Sequence, residues 1–406
     1  MKLLLITPSY KPAYIYGGPT MSVAKLCEAL IANADTVPAL HLEVEVLATT
    51  ANGKEELTVE PGKQVDVDGV PVTYFKRLTK DHTHFSPALL RALRKEIKAA
   101  RAANKPLLIH IHSWWNLVSI FSCWLARYYR VPVSLTPRGM LTAYTSNNRN
   151  GIFKKLIHQW IGKRLLPYCH IHATSEKEKQ DILTIIKPKS ITVIPNLVDL
   201  PPEQSEKTER AVKTEEEAKI IEEAATSERP FQLIFLSRIE EKKGLDILFQ
   251  ALSKLTFPWQ LTLGGNGESA YIAQLKNLTT TLGIKGKINW IGHVANNDKF
   301  NLLRQHDLFV LSSHNENFAN VVIESLSVGT PVLLSDQVGL ADYVLKKDLG
   351  YVCSLEPPEI TRALEKGFSE QSLRATIRQE APVIIRRDFG DEYLTSRYIQ
   401  LYQQIN

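Results

Sequence analysis

The chain has 406 residues, 44% apolar and 23% charged, with a net charge of +6. This length gives two or three domains with ample core, and the composition is ordinary for a soluble protein. No apolar run reaches membrane-spanning length and the sequence opens directly on the strand-like run L-L-L-I-T, so neither a transmembrane helix nor a signal peptide is expected.

Residues 2–7 read as a strand and 19–33 as a helix entered through Gly17-Gly18. A strand at 44–48 follows, then a hairpin over 65–75 that turns at Asp68-Gly69. Residues 86–104 read as a helix, 107–112 as a buried strand, 117–129 as a helix and 133–136 as a strand. The series continues with a helix at 151–166, a strand at 170–173, a helix at 175–186 and a strand at 191–194. Such alternation implies a parallel sheet covered on both faces. Residues 201–229 break the rhythm with Glu, Lys, Ala and Thr, and read as a solvated insertion between domains. Strands then recur at 232–237, 260–263, 288–291, 308–311 and 332–335, with helices at 245–253, 269–282 and 297–306 between them. Residues 390–405 read as a closing helix.

The most informative stretch runs from Ser312 to Asp336, where Glu316 and Glu324 stand eight positions apart. On one helix they occupy neighbouring faces, roughly two turns apart. Phe318, Ala319 and Asn320 lie at its start, where unpaired backbone N–H groups favour an anion. The layout suggests a polyol held at two points beside an anion. Earlier, Ser237-Arg238-Ile239-Glu240-Glu241-Lys242-Lys243-Gly244 leaves the carboxyl end of a strand, where ligands bind in open parallel sheets. Arg238 and Lys243 suit a diphosphate, whose growing charge they can stabilise. The alternative is a surface loop of mixed charge.

The E-x7-E spacing, the S-R-x4-K-G run and the N-terminal Gly17-Gly18 loop together resemble retaining glycosyltransferases of the B-type fold, family four in particular. The resemblance implies an α/β protein with two Rossmann-like domains facing each other across a cleft. It divides the chain into an acceptor-side domain at 1–198, a charged linker at 199–230, a nucleotide-sugar domain at 231–388 and a C-terminal helix at 389–406 that crosses back to the first domain. It gives Glu316 to the donor sugar and Glu324 to the ribose. It gives Phe318, Ala319 and Asn320, with Arg238 and Lys243, to the diphosphate, and the backbone at His293 and Val294 to the base. Gly17, Gly18 and Asn196 fall on the acceptor side; Asn196 stands in an I-P-N-L-V-D run where the family has I-P-N-G-V-D. Arg138, in L-T-P-R-G-M, replaces a His that many members carry close to the donor sugar. Arg cannot act as a base, but it can bind a phosphate or steady charge at the reaction centre, so Arg138 joins Glu316, Arg238, Lys243 and His112 as a catalytic candidate. His112 ends a buried strand with His110 on the same side, and is a candidate for the site. Asp336-Gln337-Val338-Gly339 follows another strand end and is a candidate lining of the donor site.

The implied reaction is metal-independent, retaining transfer of a hexosyl unit from a UDP- or GDP-linked donor to an acceptor hydroxyl. It needs no cofactor, and the implied setting is assembly of a polysaccharide or lipid-linked glycan. A soluble storage-glucan or metabolite transferase of the same fold is a second reading. A third is a dinucleotide-binding oxidoreductase, because Gly265-Asn266-Gly267-Glu268-Ser269-Ala270 spells G-x-G-x-x-A; the ribose-binding acid such a site needs about 20 residues later is missing. Asp66-Val67-Asp68 spells D-x-D but sits in a hairpin, where it reads as a solvated strand edge.

Charge is unevenly spread: residues 1–200 carry a net +11 and 201–406 a net −5. The basic half suggests an anionic partner such as a membrane surface or a phosphate-bearing acceptor, and no nucleic-acid motif accompanies it. Residues 153–166 mix basic side chains with Phe153, Leu156, Ile157, Trp160, Ile161 and Leu165, which gather on one face at helical spacing. The expectation is a cytoplasmic protein whose first domain packs most of this stripe on its core, with peripheral contact to the anionic inner face of the plasma membrane as an open alternative. Cys27, Cys123, Cys169 and Cys353 are scattered and read as buried free thiols.

Overall fold

The structure, a computed structural model, describes residues 1–33, 42–142, 158–202 and 229–405. It divides into two compact units, Met1–Val198 with Asp388–Asn406, and Asp199–Arg387. Most of the charged linker and the first part of the expected helix at 151–166 lie outside the described residues.

In unit 1 the elements follow in order: β1 (Lys2–Thr7), α1 (Gly18–Ala32), β2 (Glu43–Thr49), β3 (Ala51–Asn52), β4 (Glu55–Glu56), β5 (Gln64–Val67), β6 (Val70–Phe75), α2 (Pro87–Ala102), β7 (Leu107–His112), α3 (Leu117–Tyr128), β8 (Val133–Thr136), β9 (His170–Ala173), α4 (Glu176–Ile185) and β10 (Ser190–Val193). Eight of the strands form one sheet in the order β10-β9-β8-β7-β1-β2-β6-β5. Every pairing is parallel except the β5–β6 hairpin. Helices cover both faces of such a sheet, so its central strands read as unbroken apolar runs. Leu3, Leu4, Leu5 and Ile6 of β1 and Leu108, Ile109 and Ile111 of β7 are fully buried. Helix starts are marked by their caps: the side chains of Ser86, Asn116 and Ser175 accept from the backbone N–H of Leu89, Ser119 and Glu178.

Unit 2 runs β11 (Phe231–Leu236), α5 (Leu245–Leu252), β12 (Trp259–Gly264), α6 (Ser269–Thr281), β13 (Ile288–Gly292), α7 (Asn296–Arg304), β14 (Leu308–Leu311), α8 (Asn320–Ser327), β15 (Val332–Ser335), α9 (Ala341–Lys346), β16 (Gly350–Cys353), α10 (Pro357–Ser369) and α11 (Gln371–Phe389). Its all-parallel sheet has the order β13-β12-β11-β14-β15-β16. The last helix, α12 (Asp391–Ile405), belongs to unit 1: Asp391 pairs with Lys25 of α1 at 2.8 Å, and Leu394, Tyr398, Leu401 and Tyr402 are buried there.

Three expectations need correction. The helix expected to carry both Glu316 and Glu324 begins only at Asn320, so Glu316 precedes it. There Glu316 bridges to Val338, through Gly339 N–H donating to Glu316 O at 2.8 Å, which holds the backbone extended. The apolar face expected along 153–166 is not continuous over its described part. His158–Gly162 forms a π-helical turn and Leu166–Tyr168 a 3₁₀ turn, so the 3.6-residue register is lost. Leu165 is buried, but Trp160 and Ile161 are exposed, so those two do not pack on the core. The thiol expectation holds for Cys27, Cys123 and Cys169, whereas Cys353 is only half-buried.

Candidate functional site

The switch point of each sheet is where neighbouring strands send their chains in opposite directions, and ligands collect at the carboxyl ends there. In unit 2 the switch lies at β11 and β14. Arg238 follows β11 and Glu316 follows β14, so the fold brings two segments together that lie far apart in sequence. A 3₁₀ turn at Glu241–Lys243 ends in Gly244, whose φ of +62° is left-handed. A Cβ at Gly244 would stand 2.2 Å from the Ser312 carbonyl oxygen, so only glycine lets this turn lie against the chain after β14. Ser312 Oγ bonds the carbonyls of Lys243 and Gly244 at 3.1 Å, and His314 N–H donates to Lys242 O at 2.8 Å.

This seam delivers Lys243 Nζ onto Glu316 Oε2 in a short ion pair. Lys243 is buried and the Glu316 side chain nearly so. Burial alone would raise the Glu316 carboxyl, but Lys243, Lys242 and Arg238 outweigh it and hold it below its usual value. Glu316 is therefore ionised at neutral pH. Burial draws the Lys242 ammonium down, partly opposed by Glu316. Arg238 is more open and pairs with Glu240 at 2.7 Å.

Glu324 lies on α8, buried, and pairs with Lys299 of α7 at 2.8 Å. Burial pushes its carboxyl up despite Lys299. Phe318 is buried, and Ala319 caps α8 with φ +68°, a conformation that costs a residue with a Cβ about 1–2 kcal/mol. Asn320 is the first residue of α8. His293 and Val294 follow β13 and line a hollow with Asp298 and Asn301 of α7 and Gln305 just after it. Gln337 O accepts from Glu316 N–H at 3.2 Å, which places the 336–339 turn beside Glu316. Lys242 and Lys299 escaped the sequence reading. Lys242 adjoins the motif lysine, but nothing in the local pattern links Lys299 to Glu324.

In unit 1 the switch lies at β1 and β7. Gly17 follows β1 with φ +65°, and Gly18 opens α1. His112 ends β7 and Arg138 follows β8 with φ +54°. Arg138 donates to His112 Nδ1 from Nε at 3.4 Å and from Nη2 at 3.3 Å, and to Asn196 Oδ1 from Nη1 at 3.2 Å. The structure thus brings Arg138, His112 and the buried Asn196 together. The turn is clamped from below by Glu178, whose carboxylate accepts from Gly139 N–H at 2.6 Å and Thr174 N–H at 2.7 Å.

Behind this cluster runs a buried chain of neutral hydrogen bonds. His172 Nε2–H donates to Ile194 O at 2.7 Å, so its Nδ1 accepts from Thr136 Oγ1 at 2.7 Å. Thr136 Oγ1 in turn accepts from His110 Nε2–H at 2.7 Å, and His110 Nδ1 accepts from Tyr402 at 2.9 Å. Burial, with neighbouring His and Arg charges, holds His110 and His112 well below their usual values, and burial brings His172 to about 3. His110 is therefore a packing residue that ties α12 to the sheet. Its neighbour His112 has its ring 4.1 Å away. The network was signalled twice in sequence, by His110-Ile111-His112 and His170-Ile171-His172.

The two look-alike motifs have structural duties. Asp66 Oδ1 accepts from Gly69 N–H at 3.0 Å and Asp68 pairs with Lys11 at 2.9 Å. A Cβ on Gly265 would lie 1.8 Å from Ser237 O, so this glycine permits close backbone packing of β12 on the turn after β11. Among the described residues no group of three or more His, Cys, Asp or Glu could hold a metal ion.

Two family models match the chain. "Glycosyltransferase Family 4" matches residues 16–201 and "Glycosyl transferases group 1" matches residues 216–383. The lipopolysaccharide core biosynthesis glycosyltransferase LpsE of Rhizobium meliloti is 30% identical over 41% of this chain, which spans about half (48%) of that protein. A glycogen synthase of Mycobacterium tuberculosis is 25% identical over 87% of this chain and 82% of its own. In fold, the chain resembles Anabaena HepE, solved in complex with UDP-glucose, at a TM-score of 0.71 and 18% identity, each chain covered in full (100%). With one model on each unit and the B-type architecture throughout, the chain belongs to the group 1, family 4 type of glycosyltransferases and is an enzyme of that kind.

Proposed function

We propose that this glycosyltransferase moves a hexosyl unit from a UDP- or GDP-linked donor to an acceptor hydroxyl, with retention and without a metal. The observation that carries the reading is the seam in unit 2 where Lys243, Lys242 and Arg238 surround Glu316 at the switch point. Cations there stabilise the charge that grows on a departing diphosphate. Glu316 is the ionised acceptor for sugar hydroxyls, and Glu324, steadied by Lys299, takes the ribose. Phe318, Ala319 and Asn320 present the start of α8 to the diphosphate, and the backbone at His293 and Val294 meets the base. Gly17, Gly18 and Asn196 of unit 1 serve the acceptor side, and Arg138 and His112 of the same unit stand at the reaction centre. The leaving phosphate oxygen takes the acceptor proton, so no protein base is needed. The bound sugar nucleotide of HepE supports the donor class.

The acceptor in this reading is a growing polysaccharide or lipid-linked glycan, in line with the lipopolysaccharide role of LpsE. Peripheral contact with an anionic membrane has support in unit 1. Trp124, Tyr128, Trp160 and Ile161 are exposed, and Arg127 donates to Arg164 O beside them. Among the described residues no helix is long and apolar enough to cross a membrane. Synthesis of a storage glucan is the second reading, favoured by the extended match to glycogen synthase. A thermal-shift screen of nucleotide sugars in EDTA tests the donor class, since a ligand of the native state raises the melting temperature. A rise with UDP- or GDP-sugars supports the reading. No rise until manganese or magnesium is added contradicts it.

A further inference from the structure

Arg138 has an unusual environment for a half-buried cation. Its partners are His112 Nδ1 and Asn196 Oδ1, and no carboxylate pairs with it among the described residues. The buried carboxylate of Glu178 is hydrogen-bonded by Gly139 N–H, Thr174 N–H and Thr174 Oγ1, and acts on Arg138 only as a nearby charge that favours its ionised form. A guanidinium has donors only, so His112 accepts at Nδ1 and is neutral. Both partners therefore aim Arg138 without neutralising it. Three contacts engage three of its five N–H groups, and two remain for a ligand.

The backbone adds a second observation. Arg138 sits at φ +54°, a left-handed conformation that a residue with a Cβ rarely adopts. It is held there by the Glu178 clamp on the next residue. Strain of this kind persists only where surrounding contacts enforce it, and it sets the guanidinium at the carboxyl edge of β8, beside the end of β7. The ligand chemistry that fits is an oxyanion, since a planar fork of N–H groups matches two oxygens of a phosphate or carboxylate.

We propose that Arg138 binds an oxyanion, a phosphate or carboxylate, carried by the molecule that accepts the sugar, with His112 and Asn196 as positioning residues. The proposal rests on the reading above that unit 1 serves the acceptor. The donor diphosphate is the other source of the same chemistry, but unit 2 already gathers Arg238, Lys242 and Lys243 around Glu316.

The test uses the full-length protein, with inorganic phosphate as the probe and calorimetry as the readout. With UDP saturating, wild type should bind phosphate, and Arg138→Gln should weaken that binding tenfold or more while leaving UDP affinity within twofold. Arg138→Lys keeps the charge but loses the fork, and should fall between the two. It carries the test if melting curves show that Arg138→Gln does not fold. Phosphate binding that is absent in wild type, or equal in wild type and both variants, overturns the proposal. A parallel loss of UDP affinity in Arg138→Gln also overturns it, by assigning the cation to the donor. If neither UDP nor GDP binds wild type, the donor reading fails on its own. Phosphate titration of nucleotide-free Lys243→Ala, with and without Arg138→Gln, then still decides the Arg138 site.

Discussion

Glu316 and Glu324 are both carboxylates paired with lysines, yet their surroundings move them in opposite directions. Three cations hold Glu316 ionised, while burial lifts Glu324 against a single lysine. The account gives them different partners, so their isosteric variants should differ. Glu324→Gln should weaken free UDP or GDP several-fold, because the ribose loses a charged acceptor. Glu316→Gln should leave free nucleotide affinity nearly intact and lower turnover. Equal loss of nucleotide affinity in both variants, measured by calorimetry, would refute this division. The histidines make a second prediction. Burial holds His172 at about 3 and His84 at about 4, against a usual 6.5. Both pKa values are depressed on folding, so their contribution is complete above pH 6.5 and is lost as pH falls toward 4. A tenfold change in proton affinity corresponds to about 1.4 kcal/mol. The melting temperature should drop steadily from pH 7 to 4, and a flat profile would contradict neutral burial.

At the scale of elements, the seam between the turn after β11 and the chain after β14 depends on Gly244. Gly244→Ala forces a Cβ onto the Ser312 carbonyl and puts it at a positive φ. It should destabilise the protein by about 1–3 kcal/mol or more and weaken nucleotide binding as well, which chemical denaturation and calorimetry would show. Unchanged stability would mean that the seam is not rigid. Elements with strong apolar runs were legible in the sequence: β7, β8, β11, β14 and β15 fall within a residue of expectation. The stretch from α9 to α11 was not. Gly350 opens β16, which is only four residues long, and Pro382 interrupts the helical pattern inside α11. The two motif segments of unit 2 were readable because each is local, whereas the start of α8 was misplaced because bridging to Val338, 22 positions away, holds Glu316 extended. Contacts between distant segments stayed hidden. Cys123 and Cys169, scattered in sequence, lie with their sulfurs 3.3 Å apart, and Lys299 reaches Glu324 only through packing of α7 on α8.

Across the whole molecule, charge follows the two units. Residues 97–175 contain eleven Lys and Arg and no Asp or Glu. The exposed Trp124, Tyr128 and Trp160 lie within that stretch. Aromatic rings beside basic residues suit an anionic lipid surface, where each basic residue contributes about 1 kcal/mol, screened by salt. Co-sedimentation should therefore require anionic vesicles, fade with rising salt, and weaken in Trp124→Ala and Trp160→Ala. Absence of binding at low salt would favour a soluble acceptor.

The central claim is that unit 2 grips a nucleotide diphosphate through Lys243. Titration of UDP and GDP into wild type and Lys243→Ala by calorimetry tests it most directly. A charge-assisted contact of this kind contributes about 1.5–3 kcal/mol. The account predicts that wild type binds one of the two nucleotides and that the variant binds it at least tenfold more weakly. Equal affinity in wild type and variant would contradict it.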